Sequence, residues 1–127
     1  FQDPVFTLKN GKEARAMWHF LCTNGKDLKV IFSDVQADDH QGSAHWEATY
    51  TFSGTGRKVH NVIDAKFEFK DGKIFVHKDS FKFYKWTRMA LGTTGALLGW
   101  TPIVKNKVRG SAKAGLKKFM TDKPEYQ

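Results

Sequence analysis

The sequence predicts an α+β fold in which a strongly curved antiparallel sheet packs against helices. Three observations predict it. Apolar residues recur at helical spacing through Ala14, Met17, Trp18 and Leu21. They then alternate with polar residues through four long stretches ending near Trp86, after which helical spacing returns. At 127 residues a single domain over 1–127 is expected, burying roughly two-thirds of its unfolded surface. With 11 Phe, 4 Trp and 3 Tyr, the chain has enough aromatic mass for a sizeable core and too much for a disordered polyelectrolyte.

Phe1 to Leu8 is apolar at Phe1, Val5, Phe6 and Leu8 but contains Pro4, so it reads as an edge strand or extended lead-in. Asn10-Gly11-Lys12-Glu13 has capping-box spacing and starts a helix of about three turns that stops at Asn24-Gly25. Leu28, Val30 and Phe32 alternate with polar neighbours; so do Ala44, Trp46, Ala48, Tyr50 and Phe52. Val59, Asn61, Ile63, Ala65, Phe67 and Phe69 make a third strand, with turns at Ser53-Gly54-Thr55-Gly56 and Asp71-Gly72. A fourth strand from Lys73 to about Trp86 would set Phe75, His77, Asp79, Phe81 and Phe83 on one face. Thr87 to Leu98 is helical in pattern but interrupted at Gly92, Gly95 and Gly99, whose spacing suits close approach of helix and sheet or of two subunits. Beyond Pro102, Val104 to Met120 forms a last helix with a basic stripe at Lys105, Arg109, Lys113 and Lys117.

The formal charge is +8, and it is unevenly placed. Residues 1–81 carry 11 basic and 11 acidic side chains, whereas 82–127 carry 10 and 2. That excludes a uniformly basic, histone-like chain. A single cysteine, Cys22, excludes an intrachain disulfide and a cysteine-built zinc site, so a reducing, cytoplasmic location is expected. No stretch approaches the ~20 apolar residues of a membrane span, and none has a signal-peptide pattern. The opening on Phe1-Gln2-Asp3-Pro4, without an initiator Met, reads as part of a longer product.

Phe1-Gln2-Asp3-Pro4-Val5-Phe6, a capped helix, and Asp71-Gly72-Lys73-Ile74 leading to His77-x-Asp79 resemble the nuclear transport factor 2-like superfamily in its SnoaL-like branch. Phe83-Tyr84-Lys85-Trp86 and the run Ala90 to Pro102 are similar to the tail of uncharacterised bacterial members. The resemblance implies a cone-shaped barrel, its sheet wrapped around helices, with an apolar pocket at the open end and the C-terminal helices appended. It also implies a homodimer. The superfamily includes cofactor-free isomerases, cyclases and epoxide hydrolases as well as binding modules without chemistry. Its members carry one or two helices ahead of the Asp-Pro element, so the domain is expected to lack its N-terminal helix or helices.

Asp3 matches the place of the general base in ketosteroid isomerase-like members; at the rim of an apolar cone its carboxylate would be partly desolvated. As a dipeptide, Asp-Pro also simply forms turns. His77 and Asp79, two apart on one strand, share a face and suit an acid–base pair beside an aromatic wall of Phe75, Phe81 and Phe83, or a buried pair that fixes register. They lack partners at metal-ligand spacing, so no metal is expected. Asn61 is the other inward polar residue, and Trp46, Tyr50 and Phe81 could line the same pocket or serve as core. His40, His45 and His60 stand in polar surroundings and read as solvated. A hydrophobic small molecule is the expected partner, with no cofactor; proton transfer or hydrolysis needs only a carboxylate and a hydrogen-bond donor. A non-catalytic dimerisation or interaction module is the alternative. The basic stripe has no nucleic-acid recognition motif beside it and is commonest as a solvated face; nucleic acid, an anionic surface or an anionic ligand are its other uses.

Overall fold

Asn10 starts the first helix as its spacing requires. In the computed structural model, which describes residues 1–127, its Oδ1 accepts from the Glu13 amide at 2.9 Å and caps α1 (Gly11–Asn24). Glu13 reaches back to the Lys9 amide, also at 2.9 Å, one residue beyond the N-cap amide of a reciprocal box. Four strands follow: β1 (Lys29–Ala37), β2 (Gln41–Phe52), β3 (Arg57–Lys70) and β4 (Lys73–Ser80). They form one antiparallel sheet in the order β1-β2-β3-β4. The lead-in docks on the free edge of β4, where the Gln2 amide donates to His77 O and the Asp79 amide to Gln2 O.

Three corrections to the expected fold have physical causes. The sheet is neither closed nor strongly curled, so the cone-shaped barrel is replaced by an open four-stranded sheet. The central ladder explains this: β2 and β3 pair without interruption from Gln41–Glu68 to Phe52–Arg57, with no bulge to bend it. Register shifts occur only in the outer ladders, between Ser33 and Gln36 in β1 and between Glu68 and Phe69 in β3. Second, the fourth strand stops at Ser80. Phe83–Leu91 is α2, because Phe83, Trp86, Thr87 and Ala90 also fit helical spacing, and Trp86 and Ala90 bury against Val59. Gly92, at φ 63°, then breaks the chain between α2 and α3 (Thr93–Leu98). Thr101 caps α4 (Pro102–Thr121), which takes Pro102 into its first turn rather than starting after it.

The third correction concerns the core, which is small. Only 16 of the 127 residues are buried, and two small clusters organise the apolar packing. Phe6, Ala16, Met17 and Leu116 join the lead-in, α1 and α4; Val59, Trp86 and Ala90 join the sheet to α2. The inner face of the sheet carries Ala48, Val59, Asn61, Ile63 and Ala65, all buried. On β1 the same face is uncovered: Val30 pairs with Ala48 and Phe32 with Trp46, yet Phe32 is 74% exposed. No helix is long and apolar enough to cross a membrane.

Candidate active site

A single bulged residue aims the central pair. Asp71 and Gly72 both have positive φ, 54° and 73°, which makes the β3–β4 connection a tight two-residue turn. From that turn Lys70 pairs with Lys73 and Phe69 with Ile74, but the next pair is Glu68 with Val76, leaving Phe75 over. In an unbroken ladder His77 and Asp79 would face Lys66 and Asp64 on the outer side. The extra residue flips them inward, opposite Phe67 and Ala65. Phe75 itself is 69% exposed with Lys70 over its ring. It forms no wall beside His77, contrary to the strict alternation expected of β4.

Inside, His77 Nε2 lies 2.8 Å from Asp79 Oδ1, and the Asp79 side chain is only 3% exposed. The wall around the imidazole comes from three other elements. Phe1 meets it edge-on at 4.8 Å, Trp18 of α1 stacks at 6.1 Å, and Phe67 of β3 is tilted at 4.6 Å. Trp46 stands behind Trp18, 6.0 Å away. Alternation alone could place Phe67 on the inner face, but only the bulge sets it opposite His77; nothing in the spacing pointed to Phe1 or Trp18.

Asp3 sits in the turn of the lead-in. Its Oδ1 accepts from the Val5 and Phe6 amides at 2.8 and 2.6 Å, which leaves Oδ2 without a partner in the chain. Burial pushes its pKa above the ordinary aspartate value against the pull of those two amides; the Asp79 charge adds to the rise and His77 opposes it. Arg109 of α4 anchors the same turn by donating from Nε to Pro4 O at 2.8 Å.

Tyr50 of β2 belongs to the same electrostatic neighbourhood. Burial raises its pKa, the hydrogen bond from Trp86 Nε1 at 2.8 Å opposes this, and the Asp3 charge raises it further. Because the indole donates to the phenol oxygen, the phenol proton remains free to donate elsewhere. Asn61 is buried beside Ala48, and its amide has no hydrogen-bond partner within the chain. No fully buried side-chain nitrogen or oxygen is left unpaired, so that amide reaches accessible space. Phe81 instead packs against the Val59–Trp86–Ala90 cluster. Of two surface clefts of about 610 and 550 Å³, neither is lined by Asp3, His77 or Asp79, although Phe67 lines the larger.

A second polar cluster, on the outer face, was not foreseen in histidines expected to be solvated. Glu47 Oε1 meets His60 Nε2 at 2.8 Å and Oε2 meets His45 Nε2 at 3.3 Å, while His45 Nδ1 meets Asp64 Oδ1 at 3.0 Å. The carboxylates raise the His45 pKa, Asp64 most, and the two imidazoles lower that of Glu47, His60 most. No group of three or more His, Cys, Asp or Glu side chains is arranged to hold a metal ion.

A capped helix, a four-stranded antiparallel meander and polar groups on the helix-covered face define a nuclear transport factor 2-like protein. Residues 1–77 match the SnoaL-like domain, and the chain belongs to that family. Among solved structures it is similar to an LEH-like epoxide hydrolase from M. tuberculosis, with 17% identity and a TM-score of 0.57 over 80% of this chain and 74% of that one. It is also similar to AclR from Streptomyces galilaeus, with 20% identity and a TM-score of 0.52 over 92% and 75%. At such identities the likeness is one of fold. No curated protein matches the sequence.

Proposed function

We propose that this SnoaL-like domain binds a hydrophobic small molecule on the inner face of its sheet and acts on it by cofactor-free proton transfer or hydrolysis. One observation carries the reading: the His77–Asp79 pair lies among the rings of Phe1, Trp18 and Phe67, and Asp3, from a separate segment, feels the charge of both members and is itself felt by Tyr50. A carbonyl compound would set an acidic C–H against the free Oδ2 of Asp3, which takes the proton. The resulting enolate oxygen would accept from the Tyr50 hydroxyl or the Asn61 amide. For an epoxide, His77, oriented by Asp79, would draw a proton from the attacking water, and the opened oxygen would take a proton from the Tyr50 hydroxyl, which the proton held by His77 then replaces. Exposed Phe32 and half-buried Trp46, paired across β1 and β2, offer the ligand its non-polar floor.

The test follows the indole N–H signals of Trp18 and Trp46 by NMR during titration with hydrophobic ketones and epoxides. Saturable shifts are expected, together with turnover of a bound compound that falls at least tenfold in Asp3→Asn and His77→Gln. If no member of either class moves these two signals, the reading falls.

A second reading, a homodimer or interaction module, rests on the outer face. There Ile31, 67% exposed, and Val62 flank Glu47 on adjacent strands. A dimer through this face would give twice the monomer mass by light scattering and dissociate on Ile31→Lys. The expected reducing, cytoplasmic setting goes with this reading of a free, exposed Cys22.

A further inference from the structure

Four large apolar side chains crowd into seven positions where α3 turns into α4. Leu97 is 66% exposed, Leu98 50%, Trp100 73% and Ile103 79%. Their outward aim is set by the other side of the corner. Gly95 and Gly99 are buried against Thr87 of α2, so closely that a Cβ on either would overlap Thr87 atoms. The Tyr84 hydroxyl donates to Ala96 O at 2.7 Å and holds α3 in the same position. With α3 pressed on α2 by its glycines, Leu97 and Leu98 have no inward alternative. Trp100 Nε1 already donates to Leu97 O at 3.0 Å, so the indole has no unpaired polar group to desolvate.

Cations are carried by the helices that meet at this corner and line a cleft beside α3. Residues 81–121, which span α2, α3 and α4, hold nine Lys or Arg and no Asp or Glu. Arg57, Lys58, Lys85 and Arg88 line a cleft of about 550 Å³ with Gly92, Thr93 and Ala96, and no carboxylate belongs to it. Lys58 reaches out of that group to Asp27 at 3.2 Å; Lys107 of α4 is exposed.

We propose that the α3–α4 corner docks on an anionic lipid bilayer, with Leu97, Leu98, Trp100 and Ile103 entering the interface and these cations meeting headgroups. The two halves of the patch select this partner together. A polyanion such as nucleic acid would satisfy the cations and leave the apolar corner in water. A second copy would cover the apolar corner but oppose two carboxylate-free basic surfaces. An anionic bilayer supplies an apolar layer and negative charge at the spacing of one side-chain length. Trp100, amphipathic and exposed, is the residue type that settles at such an interface. The surface is separate from the candidate active site, and neither depends on the other.

The test is co-sedimentation with vesicles of phosphatidylcholine alone or with about one-third phosphatidylglycerol. The intact chain is expected to sediment with the anionic vesicles at low salt and to be released as salt rises. Trp100→Ser combined with Ile103→Ser should weaken partitioning at least tenfold, and Lys85→Gln with Arg88→Gln severalfold. All four residues are exposed, so unchanged circular dichroism and thermal unfolding serve as the folding control. Absence of binding to anionic vesicles overturns the proposal. So does binding that survives the Trp100/Ile103 change, duplex DNA that binds more tightly than vesicles, or self-association that the Trp100/Ile103 change abolishes.

Discussion

The two oxygens of Asp3 keep different company: Oδ1 takes two backbone amides, while Oδ2 has no hydrogen-bond partner in the chain. An Asn at this position keeps an oxygen for the amides but loses the charge. Because burial raises the Asp3 pKa in the folded chain, its contribution to stability is full below about pH 4 and lost as pH rises through the raised value. Asp3→Asn should therefore unfold at a higher temperature than the native chain at pH 7, with the gap closing toward pH 3. Calorimetry over that range checks the sign, and loss of ligand turnover in the same variant separates the chemistry from the stability. Asp79 acts through contact instead: its side chain is almost fully buried and holds His77 Nε2 at 2.8 Å. Asp79→Ala should cost about 2 kcal/mol in denaturant unfolding, as expected for a lost hydrogen bond to a charged group. The types and separations of Asp3, His77 and Asp79 were legible in the sequence. Their convergence was not, because Asp3 reaches the pair only through the docking of Gln2 along β4.

At the scale of elements, one unpaired residue decides which face β4 presents. Removing Phe75 should leave Glu68 opposite Val76 and Phe67 opposite His77, now as direct successors of the Phe69–Ile74 pair. Cross-strand amide contacts between Phe67 and His77 should persist in NMR spectra of that deletion. An Asp79 side chain exposed on the outer face would show that the bulge does not set the register. The alternating pattern of β4 could not reveal this offset, because a bulge adds a residue without changing residue types. The strand's end was hidden for another reason. Phe81 to Trp86 fits period two, and from Phe83 it fits the helical period too; burial of Trp86 and Ala90 against Val59 decides. The glycines around α3 signalled a close approach of helix to sheet or of two subunits; Gly95 and Gly99 meet Thr87 of helix α2 instead. Gly95→Ala should cost about 1–3 kcal/mol, because the added methyl must push α3 off α2.

Across the whole molecule, the order helix, meander, helices was legible because period and turn residues agreed at nearly every step. Closure of the sheet and size of the core were not, because both depend on what covers β1, whose inner residues Val30 and Phe32 alternate like core yet lie open. Charge is the property that carries over intact from sequence to structure. The balanced first 81 residues make the lead-in, α1 and the sheet, and the excess falls on the three closing helices. On α4, Lys105, Arg109, Lys113 and Lys117 stand four apart with no acid on the helix to offset them. Like charges at that spacing destabilise a helix, by about 0.2–0.5 kcal/mol a pair. Salt should therefore raise the melting temperature of the native chain between about 20 and 200 mM, by screening repulsion that extends about one Debye length. Lys113→Glu turns two repulsive pairs, with Arg109 and Lys117, into attractive ones. It should add about 1 kcal/mol at low salt, a rise of about 3–5 °C in Tm, and most of that gain should disappear at the higher salt concentration. An unchanged Tm at low salt would mean that the basic stripe is already neutralised by bound counter-ions rather than held under strain.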